Sequence, residues 1–76
     1  MREIIFTVTH DAKAGGYCAS WDDPRGGGIA TQGDDFTDLD LMIRDAVEGY
    51  FDVKGTAAPR KVRLHFTDDP VLELAR

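Results

Sequence analysis

Few groups in this chain could do chemistry: one thiol, Cys18, two imidazoles, His10 and His65, and carboxylate pairs at Asp22-Asp23, Asp34-Asp35 and Asp68-Asp69. A thiol and an imidazole make a nucleophile only within hydrogen-bond reach of each other, with a third group orienting the base. Cys18 lies inside an alternating run, where a cysteine is ordinarily a small, inert hydrophobe. Two histidines and one cysteine so widely spaced do not form a zinc ligand set. The carboxylate pairs lack the Asp-x-Asp-x-Asp-Gly order of a calcium loop. A degenerate nuclease drawing on Asp11, Asp22 or Asp23 and a divalent ion is the one metal-dependent alternative. Gly26-Gly27-Gly28 has no phosphate-loop continuation and reads as a bend between strands. The expectation is a protein with no catalytic residue, no metal and no cofactor.

Composition narrows the class further. At 76 residues the chain is expected to form a single domain, residues 1–76, near the lower size limit for independent folding. Domains this small commonly need a staple, and a lone cysteine excludes an intrachain disulfide. Self-association, as a homodimer or a higher homo-oligomer, is the expected remedy. The lone thiol, an N-terminus without an apolar signal region and the lack of any long apolar run together lead to the expectation of a soluble, cytoplasmic protein with no membrane contact. Fourteen acidic against nine basic residues give a net charge of −5. Direct nucleic-acid binding normally demands a basic face, so it is not expected. The acidic clusters read either as a solvated surface or as complementary to a basic partner.

These residues must be positioned by a short series of elements. Residues 2–9 alternate, with Ile4, Phe6 and Val8 on one face and Ile5, Thr7 and Thr9 on the other. A turn over 10–16 leads to a returning strand over 17–21, whose Tyr17, Ala19 and Trp21 share a face opposite Cys18 and Ser20. The breaker Asp22-Asp23-Pro24-Arg25-Gly26-Gly27 precedes a third strand over 28–32. Asp35 is a suitable helix N-cap, with Asp38 three residues on to reach back towards it. Phe36, Leu39, Ile43, Ala46, Val47 and Tyr50 then recur at helical spacing up to about Asp52, while Leu41 falls opposite that stripe. Residues 61–67 alternate again, with Val62, Leu64 and Phe66 inward. Val71 to Ala75 is open to a short fifth strand, an exchanged arm or a helical turn, the strand being preferred. The expected architecture is α+β, in the order β-β-β-α-β, with one helix packed on one face of a sheet.

Three pieces of this pattern resemble the HicB-like antitoxin domain. They are the strand Gly15-Gly16-Tyr17-Cys18-Ala19-Ser20, the turn Thr31-Gln32-Gly33-Asp34-Asp35 and the helix segment Ile43-Arg44-Asp45-Ala46-Val47-Glu48. The likeness covers about residues 2–53. It implies a degenerate ribonuclease H-like sheet of order 3-2-1-4, its last strand parallel to its first. It also implies a non-catalytic antitoxin that sequesters a small basic HicA-type mRNA interferase. Two departures stand out. About ten residues follow the fourth strand, where the family usually carries a DNA-binding segment, and residues 22–28 replace its more usual turn. A solitary HicB-like domain is therefore expected, with a self-associating structural or regulatory adaptor as the alternative. The expected partner contact is an acidic rim of Asp22, Asp23, Asp34 and Asp35 with Trp21 as aromatic anchor. The expected subunit contact uses Ile5, Thr7, Cys18 and Leu41.

Overall fold

A computed structural model of the chain describes residues 3–11 and 15–68. Its elements are β1 (Glu3–Asp11), β2 (Gly16–Asp22), β3 (Gly28–Gly33), α1 (Phe36–Lys54) and β4 (Lys61–Phe66). The anticipated fifth strand at Val71 to Ala75 falls outside the described residues.

The four strands form one mixed sheet in the order β3-β2-β1-β4. β1 pairs antiparallel with β2, with Thr9 opposite Cys18, and parallel with β4, with Phe6 opposite Leu64. β2 and β3 are antiparallel, running from Tyr17 opposite Gly33 to Asp22 opposite Gly28. A parallel neighbour for β1 requires a crossover, and α1 supplies it. The result is a small α+β domain with its helix on one face.

Strict alternation decides which face is buried. Ile4, Phe6 and Val8 of β1, Ala19 and Trp21 of β2 and Ile29 of β3 all point towards the helix and are buried. Leu39, Ile43, Val47 and Phe51 descend onto them from α1. Burying a side chain of this kind contributes about 1.5–3 kcal/mol. Phe51 is among the most deeply buried residues, although it lies one position beyond the expected stripe. The helix also runs further than expected, closing at Gly55. That residue sits in the left-handed region (φ 74°), and its N–H reaches back to the Phe51 and Asp52 carbonyls. Glycine adopts this conformation without a Cβ penalty.

The N-terminus of α1 follows the expected capping chemistry with one difference. Asp35 Oδ1 accepts from the Asp38 N–H at 2.7 Å. The Asp38 carboxylate reaches back to the Asp34 N–H at 2.9 Å, one residue before the cap. Immediately upstream, Gly33 lets the helix lie against the strand. A Cβ there would stand 2.5 Å from both the nitrogen and the Cα of Leu39.

This close approach draws the helix over β3 and β2 and leaves it standing off from β4. The inward-facing residues of β4 are consequently under-covered. Val62 and Phe66 are half-buried and Leu64 is 37 % exposed. Among the described residues, no helix is long and apolar enough to cross a membrane.

Candidate functional site

The groups capable of nucleophilic chemistry are kept apart. The His10 ring packs on Tyr17 at 5.1 Å, on the helix side of the sheet. Cys18 alternates with Tyr17 and faces the other side, where it is exposed. His65 shares that bare face but lies two strands away, with β1 between. Neighbouring strands are about 4.8 Å apart, so two steps exceed hydrogen-bond reach. No group of three or more His, Cys, Asp or Glu side chains converges among the described residues.

The acidic rim is not continuous. Asp22 ends β2 opposite Gly28, whereas Asp34 follows Gly33, which pairs with Tyr17 at the other end of the ladder. Five residue steps of about 3.3 Å separate the two Asp pairs by roughly 17 Å. Asp22, Asp34 and Asp35 are exposed. The Asp35 carboxylate is engaged as the helix cap.

Asp23 and Trp21 are corrections to the expected contact surface. Trp21 is 9 % exposed and belongs to the core, with its ring against Tyr50 and Phe51. Asp23 is 5 % exposed and organises the β2–β3 loop from within. Its Oδ1 accepts from the Arg25 N–H at 3.0 Å and its Oδ2 from the Tyr50 hydroxyl at 2.8 Å. Its own N–H donates to the Gly27 carbonyl, and its carbonyl accepts from the Gly26 N–H. The Arg25 amide and then the Tyr50 hydroxyl hold the Asp23 carboxyl below its ordinary range. Burial and the Asp23 carboxylate push the Tyr50 phenol upward. Asp followed by Pro marks a turn, but the sequence carried no signal that a tyrosine far along the chain would bury the carboxylate.

The expected subunit contact is also divided. Ile5, Thr7 and Cys18 lie on the bare sheet face, where Thr7 and Cys18 line a shallow depression with Thr9, Ser20 and Gln32. Leu41 is 60 % exposed on the outer side of α1, across the sheet from them. One isologous patch cannot include both sets.

The structure assembles an aromatic corner instead, beside Asp34 and Asp35. Tyr17 stacks on Phe36 at 4.7 Å, and Phe66 meets both rings edge-on at 6.5 and 5.8 Å. Phe36 is 38 % exposed. The corner joins β2, α1 and β4, so neither its membership nor its position next to the carboxylates could be read from local spacing. No family model, curated protein or solved structure matches this chain.

A second concave feature runs between α1 and β4. It is an open groove of about 550 Å³ with Val47, Phe51, Val62 and Leu64 in its walls and Asp40, Arg44, Glu48 and Arg60 around its rim. It exists because the helix is drawn towards β3.

Proposed function

We propose that this chain is a non-catalytic binding protein, a HicB-like antitoxin domain that neutralises a small basic HicA-type mRNA interferase by surface contact. The observation that carries the reading is the sheet order β3-β2-β1-β4 with β1 and β4 parallel, the arrangement implied by the HicB-like resemblance. A degenerate ribonuclease H-like sheet is part of the same proposal.

The contact proposed is the corner where Asp34 and Asp35 adjoin Tyr17 and Phe36. Carboxylates beside the exposed Phe36 ring and the half-buried Tyr17 ring suit a lysine- or arginine-rich surface, through steering at long range and cation–π packing at short range. Asp34 is the better reporter of the two, because its side chain does not cap the helix. Asp34→Lys is expected to weaken capture of a small basic protein encoded in the adjacent reading frame while leaving thermal unfolding unchanged. Co-expression is expected to relieve that protein's toxicity. A partner neither bound nor neutralised by the wild-type chain would defeat the proposal.

A second reading, a self-associating adaptor for an unrelated protein, is favoured by Ile5, which is 51 % exposed on the bare face of the sheet. An acidic module that assembles with itself but captures no basic protein would support it.

A further inference from the structure

The outer edge of β4 is self-complementary in one register. The Thr67 N–H donates to the Val8 carbonyl, so the odd-numbered residues of β4 turn their backbone groups towards β1. Val62, Leu64 and Phe66 therefore present theirs outward, and among the described residues no strand pairs with that edge. The same three residues carry the under-covered apolar side chains of β4.

We infer that a second copy of this chain docks antiparallel along β4, with Leu64 opposite Leu64 of the second copy, joining the two sheets edge to edge. In this register Val62 stands opposite Phe66 of the second copy, and each such pair exchanges both of its outward hydrogen bonds. The apolar side chains meet on the helix side, where the two grooves become one trough. Charge is compatible with this register. Lys61 and Arg60 at one end of the strand come opposite Thr67 and Asp68 of the second copy, and the two-fold axis repeats the match at the other end. Sliding either way by two residues loses an apolar pair. A slide of one places outward backbone groups against inward ones. Arg63 and His65 face each other on the bare side, where Glu3 already pairs with Arg63 at 2.6 Å. This assignment is independent of the antitoxin reading, and its failure would leave that reading standing.

Antiparallel hydrogen-bonded partners have Cα atoms roughly 5.5 Å apart, within the span of a disulfide. In a Cys18→Ser background, Leu64→Cys is expected to give a covalent dimer on oxidation, whereas Ile5→Cys is not. Light scattering is expected to give twice the chain mass for the wild type and the chain mass for Leu64→Lys, with unchanged far-ultraviolet dichroism. If Leu64→Lys unfolds, the cysteine pair still decides. Cross-linking through Ile5→Cys and not Leu64→Cys would overturn the inference in favour of the bare face. A monomeric full chain that dimerises only when ended at Asp68 would overturn it too, by showing that the chain's own C-terminal residues occupy the edge.

Discussion

The Tyr50 hydroxyl donates to Asp23 Oδ2 at 2.8 Å, joining α1 to the β2–β3 loop across 27 positions of sequence. The same ring stands edge-on to Trp21 at 5.8 Å, and Lys54 Nζ lies 5.4 Å from its centre. One tyrosine thereby fixes a glycine-rich loop, a core tryptophan and the far half of the helix. Tyr50→Phe keeps the packing and removes the hydrogen bond. Asp23→Ala in addition strands the Arg25 N–H and the Tyr50 hydroxyl. Thermal unfolding followed by circular dichroism is expected to fall by several degrees for Tyr50→Phe and further for Asp23→Ala. Midpoints equal to wild type in both would refute this role.

Acid should expose the same interaction. A carboxyl whose pKa is lowered on folding stabilises the fold above its unfolded value, and that stabilisation disappears as pH falls through the lowered folded value. For Asp23 the ordinary value is 3.8, so the loss belongs to the range below about pH 4. Glu3, lowered chiefly by its hydrogen bond from Arg63, shifts in the same direction at an exposed position. Asp23→Asn is expected to flatten the acid limb of a stability–pH curve. An acid limb unchanged by that substitution would remove Asp23 from the account.

Gly33 is the point at which strand and helix touch. Adding a methyl group places it 2.5 Å from the Leu39 backbone, and backbone cannot yield as a flexible side chain can. Gly33→Ala is expected to cost about 1–3 kcal/mol, the range for overpacking. Denaturant titration would measure it, and a neutral result would mean that the helix can move away from β3.

The two neighbouring aspartates should separate cleanly. Asp35→Ala removes the cap on the Asp38 N–H and is expected to cost about 1 kcal/mol. Asp34→Ala leaves the backbone donation to Asp38 intact and is expected to stay within about 0.5 kcal/mol of wild type. Equal effects in denaturant titration would contradict the assignment of Asp35 as the cap.

The helix has a decisive inner side and a dispensable outer one. Phe51→Ala is expected to cost about 3–5 kcal/mol, comparable with what a core this small supplies, and to leave the chain largely unfolded by dichroism. Leu41→Ala should be within about 0.5 kcal/mol of wild type. A folded Phe51→Ala variant would show that the core is less dependent on that ring.

Alternation and helical spacing were enough to place all four described strands and the helix, to sort Ile4, Phe6 and Val8 from Ile5, Thr7 and Thr9, and to locate the cap at Asp35. Those features follow from neighbours along the chain, because side-chain direction repeats every two residues in a strand and every 3.6 in a helix. Strand order was available through the HicB-like resemblance and not from periodicity. Alternation continued past Trp21 turns Asp23 inward and Asp22 outward, but the hydroxyl that holds the Asp23 carboxylate comes from Tyr50, distant in sequence. Trp21 shares the inward face of β2 with Tyr17 and Ala19, so it was open both to burial and to partner contact, and the rings of Tyr50 and Phe51 decide for burial. The under-covered inward face of β4 was hidden for the same reason: it depends on how far the helix leans towards β3, and that follows from the missing side chain at Gly33. Contacts between residues distant in sequence set burial, and burial decides whether a carboxylate binds a partner or holds a loop.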